Sequence, residues 1–378
     1  MPDGAHPVLD LFLELVAISS PPGEERPVAD RVSAYLRDLG LTVDEDDVAA
    51  SISGTAGNLL CRLDPTDGSN GGIPVFLCAH LDTVPPTAAI EPVLEDGIVR
   101  NGAGTILGAD DKSAVAAMLE ATRRVVEEGR PHAGVELLFT PKEEVGLVGA
   151  YAFDHTRLRA TTGYVYDQAA PVGEIVLGAP SAVGIEAVFR GRAAHAGMYP
   201  EEGRSAIAAA ARAIADMRLG RIDEETSANV GVITGGTARN IVPEYCSFRA
   251  EARSHDEEKL AELVREMTET MGFAATLEEC EVETTINRSY RAYRFRKTDQ
   301  VVRLAATALE RSGHTATYSL SGGGADANVF NERGLACVNL ANGMTEIHTP
   351  DEHIAVADLD AMVEFTLMLL DTAREPLA

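Results

Sequence analysis

The sequence predicts an α/β protein in which a smaller α+β domain of ferredoxin-like topology is inserted into a larger α/β domain. Three observations lead to this prediction. The chain has 378 residues, which is more than one hydrophobic core usually supports, so two domains are expected. Short apolar runs first alternate with helical patterns, which indicates a sheet covered by helices on both faces. From about Ser181 the order becomes β-α-β-β-α-β, typical of a ferredoxin-like unit, and the α/β pattern returns after Arg291.

The first α/β stretch opens with two helices in residues 7–40. Serine, proline and glycine at Ser19–Gly23 break the pattern between them. The second helix runs from about Glu25 to Leu39 and ends at Gly40, a residue that favours a helix end. Apolar residues at helical spacing predict a third helix over Lys112–Glu128. Strands are predicted at Asn58–Leu63, Val75–Ala79, Val135–Thr140 and Gly163–Tyr166.

Residues 181–291 are predicted to form the inserted domain, and residues 1–180 with 292–378 the larger domain. The inserted domain begins with Ala182–Arg190, whose alternation is typical of a half-exposed strand. Its other elements are a helix at Ser205–Met217, strands at Ala228–Ile233 and Glu244–Arg253, a helix at Asp256–Met271 and a final strand at Ala275–Glu283. A helix over Thr298–Ser312 then resumes the larger domain.

The composition excludes several classes of partner. Acidic residues outnumber basic ones by 59 to 32, which gives a net charge of −27. Such a surface repels nucleic acid and anionic membranes, so neither is expected to bind. No apolar run approaches the ~18 residues that a membrane span needs. The five cysteines are scattered and form no disulfide framework, so a cytoplasmic location is expected.

Five short polar segments lie at the ends of predicted elements of the α/β domain. Each segment alone is a weak signal. Since open α/β sheets place ligands at the carboxyl ends of their strands, the five are expected to meet. Imidazole and carboxylate ligands without a thiolate suit a catalytic zinc or a similar divalent ion. The candidate metal ligands are His80, Asp110, Glu144, Asp167 and His348.

In two of these segments, an acidic residue near the candidate ligand suggests a division of roles. His80 and Asp82 share one face of an extended backbone, and a metal-bound histidine usually has a carboxylate at its other ring nitrogen. Glu143 and Glu144 are adjacent at a strand end and therefore point in different directions. One of the two glutamates can bind metal while the other transfers a proton.

The pair Asp110-Asp111 opens a predicted helix in a glycine-containing segment. A phosphate-binding loop needs glycine immediately before the lysine, but Asp111 precedes Lys112 here, so that interpretation is excluded. A helix N-cap would explain one aspartate but not the pair. In the inserted domain, His195 stands among small residues that leave its ring accessible.

At these residues the sequence resembles the M20 family of dinuclear zinc peptidases, and more closely its peptidase T-like branch. The matching segments follow the family's order over nearly the whole chain. They are His80–Val84, Gly108–Lys112, Glu143–Ala150, Ala194–Gly197, Gly236–Val242, Ser321–Asn328 and Glu346–Thr349.

The resemblance implies a zinc-peptidase-like catalytic domain, with the inserted domain as a lid that often carries the dimer contact. Asp110 would bridge two divalent metal ions, with zinc expected first and cobalt or manganese as alternatives. His80 and Asp167 would complete one metal site, and Glu144 and His348 the other.

The resemblance also implies roles for residues that do not bind metal. Asp82 would orient the strand-end histidine, and Glu143 would be the general base. His195, Asn240 and Arg253 would hold the carbonyl or carboxylate of the substrate. A homodimer through the lid is implied as well.

The expected activity is hydrolysis of amide bonds in short peptides, as in a tripeptide aminopeptidase, by a metal-activated water and a glutamate base. An alternative of the same fold removes the acyl group from an N-acyl amino acid, and no residue decides between them. Asp167 lies where M20 branches vary between aspartate and glutamate, and it fits the peptidase side. The non-enzyme alternatives are a catalytically silent binding relative, against which the complete ligand set and Glu143 argue, and a structural cation site.

Overall fold

The computed structural model describes residues 6–66 and 71–375. The helices are α1 (Pro7–Val16), α2 (Arg26–Asp38), α3 (Ala109–Glu127), α4 (Val148–Ala152), α5 (Ala206–Asp216), α6 (Glu257–Leu277), α7 (Gln300–Arg311), α8 (Asp326–Glu332) and α9 (Val356–Ala373). The strands are β1 (Val43–Glu45), β2 (Leu59–Leu63), β3 (Val75–His80), β4 (Pro92–Glu95), β5 (Ile98–Asn101), β6 (Val135–Thr140), β7 (Thr162–Gln168), β8 (Glu174–Val176), β9 (Gly178–Ala179), β10 (Ser181–Arg190), β11 (Gly220–Arg221), β12 (Thr226–Gly235), β13 (Tyr245–Ser254), β14 (Glu281–Tyr290), β15 (Tyr293–Arg294), β16 (Thr317–Ser319), β17 (Ala336–Ala341) and β18 (His353–Ala355).

The chain separates into two compact units. The second unit comprises Ala179–Tyr293 and, in addition, Gly322–Gly324; the remaining residues form the first. The prediction placed these three glycines in the larger domain. They group with the second unit because Gly324 lies against the ring of Tyr290, where a Cβ would approach to 2.4 Å. In the same unit, Arg253 Nη1 donates a hydrogen bond of 3.3 Å to the carbonyl of Gly322.

An eight-stranded sheet forms the centre of the first unit, in the order β1-β2-β6-β3-β7-β17-β8-β16. The four neighbouring strands β6, β3, β7 and β17 are parallel. Strands β3 and β6 are buried along their full length, as expected for parallel strands covered on both faces. The chain leaves β3 for β6 on one side and later adds β7 on the other, so β3 is a topological switch point.

Alternate residues of β3 face different layers of helices. Val75, Leu77 and Ala79 belong to the large core that also contains apolar residues of α1, α3, α7 and α9. On the opposite face, Phe76 makes an edge-on ring contact of 5.0 Å with Phe330 of α8. Both faces of the sheet are therefore covered, as the alternation of strands and helices predicted. Among the described residues, every helix is too short or too polar to cross a membrane.

The second unit contains a five-stranded antiparallel sheet in the order β11-β12-β13-β10-β14. Apart from the short β11, this order and the β-α-β-β-α-β sequence give the predicted ferredoxin-like topology. Helices α5 and α6 pack together and against the sheet. The alanines of α5 permit a close approach, since those on its inner face are fully buried.

The final strand of the inserted domain was predicted at Ala275–Glu283, and the first half of that prediction is wrong. Helix α6 continues to Leu277, and the strand begins only at Glu281. Ala275 is buried on the same helix face as Met267 and Met271, so packing against the sheet carries the helix past Gly272. The apolar pattern there was that of a helix and not of a strand.

Candidate active site

Four of the five candidate metal ligands lie at or beyond the carboxyl ends of four adjacent parallel strands. His80 is the last residue of β3, Glu144 lies just beyond β6, and Asp167 is near the end of β7. His348 follows β17, and Asp110 lies at the start of α3. The structure thus brings the five residues to one edge of the sheet, next to the switch point, where open α/β folds bind ligands.

Asp110 joins the two imidazoles through different oxygen atoms. Its Oδ1 is 3.1 Å from Nε2 of His80, and its Oδ2 is 3.1 Å from Nε2 of His348. Glu144 Oε1 is also 3.0 Å from Nε2 of His348. A carboxylate that presents one oxygen to each of two histidines has the arrangement expected of a ligand shared by two cations. Asp110 does not cap α3 with its side chain, so the N-cap alternative does not explain it.

Two groups of potential ligand atoms can be recognised in the described chain. The atoms of His80, Asp110 and Glu144 lie within 4.8 Å of one another, and so do those of His80, Glu143 and Asp167. Both groups consist of imidazole and carboxylate, the ligand types that suit zinc, cobalt and manganese. The residues therefore fit a pair of divalent cations, and Glu143 lies in the second group together with His80 and Asp167.

The surroundings of Asp82 differ in part from the prediction. Its carbonyl oxygen, 2.9 Å away, is the nearer partner of His80 Nδ1, while its carboxylate is 3.6 Å from that atom. The carboxylate oxygens instead accept the backbone N–H groups of Glu143, at 2.9 Å, and Glu144, at 3.1 Å. Asp82 is fully buried. The side chain of Asp82 thus fixes the backbone of both glutamates. The residue before them, Lys142, has a left-handed φ of +58°.

Burial and mutual charge shift the acid–base properties of the cluster. Hydrogen bonds with Asp110 and Glu144 raise the pKa of His348 to about 10. Burial opposes ionisation of Asp110, but its two histidine partners hold the pKa of this carboxyl below its usual range. Burial, with Asp167 nearby, raises the pKa of Glu143 well above the usual value. A raised pKa makes the carboxylate of Glu143 a stronger proton acceptor. This suits a group that takes up and releases a proton near neutral pH.

Two asparagines that the sequence did not single out bond to the candidate ligand Asp167 and to residues next to candidate ligands. Asn339 accepts the N–H of Asp167 at 2.9 Å and donates to its carbonyl at 2.5 Å. Asn342 donates to Asp111 Oδ1 at 3.2 Å and to the carbonyl of Tyr166 at 2.7 Å. Both are buried at or just after β17. Polar residues in an otherwise apolar strand were the signal that could have identified them.

In the second unit, His195 and Asn240 lie on paired segments. The N–H of Ala196 donates to the carbonyl of Asn240 at 2.9 Å. His195 Nδ1 accepts backbone N–H groups of Gly197 and Met198, both at 3.2 Å. Because Nδ1 accepts, the neutral imidazole carries its proton on Nε2, and the exposed ring can donate a hydrogen bond from that atom.

Arg253 also lies in the second unit, on β13. Its Nη2 forms an ion pair of 2.9 Å with Glu251, and Nη1 donates to Gly322. The guanidinium is thus already engaged within its own unit. Its assignment as a substrate contact remains a prediction.

Two family models match the chain. Residues 177–276 match the model described as peptidase dimerisation domain, and residues 58–177 match the model described as peptidase family M28. The chain is 39% identical over 368 residues to the uncharacterized protein YqjE of Bacillus subtilis, covering 97% of this chain and 98% of that protein. It is 31% identical over 301 residues to a probable carboxypeptidase of Aspergillus niger, covering 70% of this chain and 69% of that protein.

Solved structures show the same architecture over nearly the whole chain. The aminopeptidase PepT of Bacillus cereus matches with 41% identity and a TM-score of 0.87, covering 98% of both chains. A tripeptidase of Staphylococcus aureus matches with 37% identity and a TM-score of 0.91, again over 98% of both chains. A dinuclear metal-binding M20 peptidase of Bacillus subtilis shares the fold at 16% identity and a TM-score of 0.71, covering 97% of this chain and 98% of that chain.

Proposed function

Because the chain belongs to the M20 family of peptidases, in its peptidase T-like branch, we propose that it is an aminopeptidase that acts on tripeptides and similarly short peptides. The observation that carries this proposal is Asp110, which presents one oxygen to His80 and the other to His348. Support for short peptides comes from the similar proteins named an aminopeptidase and a tripeptidase, at 41% and 37% identity.

We propose that the cluster binds two divalent ions, with zinc first and cobalt or manganese as alternatives. His80 and Asp167 would hold one ion and Glu144 and His348 the other, with Asp110 shared. When bound, such cations lower the pKa of a water molecule and polarise a carbonyl group.

In the proposed reaction, Glu143 accepts a proton from water while the water oxygen attacks the scissile carbonyl carbon. The C–N bond then breaks, and Glu143 passes the proton to the leaving amine. Asp82 supports this step, because its carboxylate fixes the Glu143 N–H at 2.9 Å. No covalent intermediate with a protein side chain is needed.

A set of matched substrates tests the proposed specificity. A tripeptide, its N-acetylated form, its C-terminally amidated form and an N-acyl amino acid would be incubated with zinc-loaded protein, and the products identified by mass spectrometry. We expect release of the first residue from the free tripeptide and loss of activity on acetylation. Cleavage of the N-acyl amino acid instead would favour the deacylase. Release of the last residue would favour a carboxypeptidase, the activity named for the Aspergillus niger relative.

We further propose that His195 donates a hydrogen bond to the oxyanion of the reaction. Its Nδ1 accepts two N–H groups, which leaves Nε2–H as the donor. His195→Ala should lower kcat by about 10²–10³, the usual cost of one oxyanion donor, without changing metal content. Mixing this variant with Glu143→Gln protein and allowing subunits to exchange would restore activity if the histidine acts in a partner chain. Full activity of His195→Ala alone would contradict the role.

A homodimer through the second unit is proposed as well. It is supported by the match of residues 177–276 to the peptidase dimerisation domain. A cytoplasmic location is proposed because all five cysteines are free, as is usual in a reducing compartment.

A further inference from the structure

We infer that the buried carboxylate of Glu352 is a positioning residue that fixes Asp110 in the geometry needed to hold metal. The inference rests on the proposed function, since it concerns the same metal centre. Glu352 lies four residues after His348, immediately before β18, and is 1% exposed. It is not among the predicted ligands.

Both carboxylate oxygens of Glu352 accept hydrogen bonds from the segment that carries Asp110. Oε2 accepts the N–H of Leu107 at 2.7 Å and that of Gly108 at 2.8 Å. Oε1 accepts the N–H of Asp110 itself at 3.0 Å. A carboxylate is costly to bury without partners, and here three converging donors stabilise it.

The backbone at Asp110 needs such a partner because it is not helical. Gly108 is left-handed, with φ of +77°, and Asp110 has φ −80° and ψ 106°. The N–H groups before a helix have no acceptor within the helix, and the start of α3 has no side-chain cap from its own residues. Glu352 supplies the missing acceptors and thereby holds the turn from which Asp110 reaches both histidines.

The same contact links two ligand segments that are distant in sequence. The N–H of Glu352 donates to the carbonyl of Thr349 at 3.2 Å, next to His348. Glu352 therefore ties the loop that carries one imidazole to the turn that carries the shared carboxylate. Because Asp110 contacts both imidazoles, a displaced Asp110 would weaken both metal sites together.

Metal titration of Glu352→Gln tests this inference. The amide keeps one acceptor oxygen, and its NH₂ group must face at least one of the three N–H donors. Groups that support metal ligands typically contribute 10–100-fold to metal affinity, so the Kd for zinc should rise about 10–100-fold at both sites. The measurement is competition between metal-free protein and a chelator of known affinity, which needs no activity assay.

Two controls separate positioning from general stability. Asp351→Asn removes the same charge from the preceding, exposed residue and should leave the zinc Kd unchanged. Thermal unfolding of the metal-free variants measures structure alone. A merely structural Glu352 would lower Tm while leaving the zinc Kd as in the wild type, and this result would overturn the inference.

Glu352→Asp is the second variant, for use if the Glu352→Gln protein fails to fold. It keeps the charge but is one methylene too short to meet all three donors, and we expect a smaller rise in Kd at both sites. Wild-type affinity in this variant, or unfolding of both variants even with zinc, would refute a positioning role. Normal zinc binding by a wild-type protein that cleaves no peptide would refute the proposed function and leave this inference standing.

Discussion

Glu143→Gln is expected to lower kcat by a factor of about 10²–10⁴, the usual contribution of a general base, while both metals stay bound. The amide has nearly the same shape but cannot accept the proton of the attacking water. The hydrogen bond from the backbone N–H of Glu143 to the Asp82 carboxylate does not involve the substituted side chain, so the substitution should leave it in place. Turnover of a tripeptide and metal content would be measured on the same preparation.

Glu144→Gln is the matched variant, because it makes the same chemical change one residue later. Glu144 Oε1 lies 3.0 Å from His348, so this variant should weaken metal binding as well as lower kcat. The potential ligand atoms of Glu143 lie within 4.8 Å of those of His80 and Asp167. The experiment therefore also tests the opposite assignment, in which Glu143 binds metal and Glu144 is the base. Loss of metal from Glu143→Gln, with metal retained in Glu144→Gln, would show that the two roles are exchanged.

Asp110→Asn should remove nearly all activity and weaken both metals at once. The amide can offer an oxygen to only one of the two histidines, and its NH₂ group would face the other metal position. Loss of a ligand shared by two cations affects both sites, whereas loss of an unshared ligand affects mainly one. Metal content after dialysis and tripeptide hydrolysis would be compared with those of His348→Ala.

Asp326→Asn serves as the control for substitution of a buried aspartate in the same unit. Asp326 is 1% exposed and accepts a hydrogen bond of 2.6 Å from Thr140 Oγ1, which an asparagine oxygen can also accept. Burial raises the pKa of Asp326 to about 6, and asparagine has nearly the same shape as the aspartate that it replaces. We expect this variant to keep both metals. If Asp110→Asn also keeps both, Asp110 is not the shared ligand.

The sequence predicted where the candidate site residues lie in the sheet better than it predicted the contacts between them. His80, Glu144 and Asp167 could be placed at strand ends because hydrophobic runs mark strands, and parallel strands end at one edge. Which oxygen of Asp110 faces which histidine depends on the turn at Gly108, and that turn is set by long-range contacts. Periodicity carries no information about such contacts.

The supporting residues could not be predicted for the same reason. Glu352 was not singled out in the sequence, although its carboxylate binds a turn more than two hundred residues earlier in the chain. Asp82 was assigned to His80 by spacing, and its carboxylate lies 3.6 Å from Nδ1 of that histidine. The carboxylate also accepts the backbone N–H groups of both glutamates, which spacing could not predict. The end of α6 was misplaced because the helical apolar spacing that continues past Gly272 was taken for the start of a strand.

Zinc titration of metal-free protein, with tripeptide hydrolysis and bound zinc recorded at each step, tests the central claim most directly. The chelated protein should remain folded by circular dichroism and show no hydrolysis. Activity should then reach its maximum as about two equivalents of zinc bind, and an excess of chelator should abolish it. Hydrolysis that persists in the metal-free protein, or that is complete after a single equivalent, would contradict a dinuclear peptidase centred on Asp110.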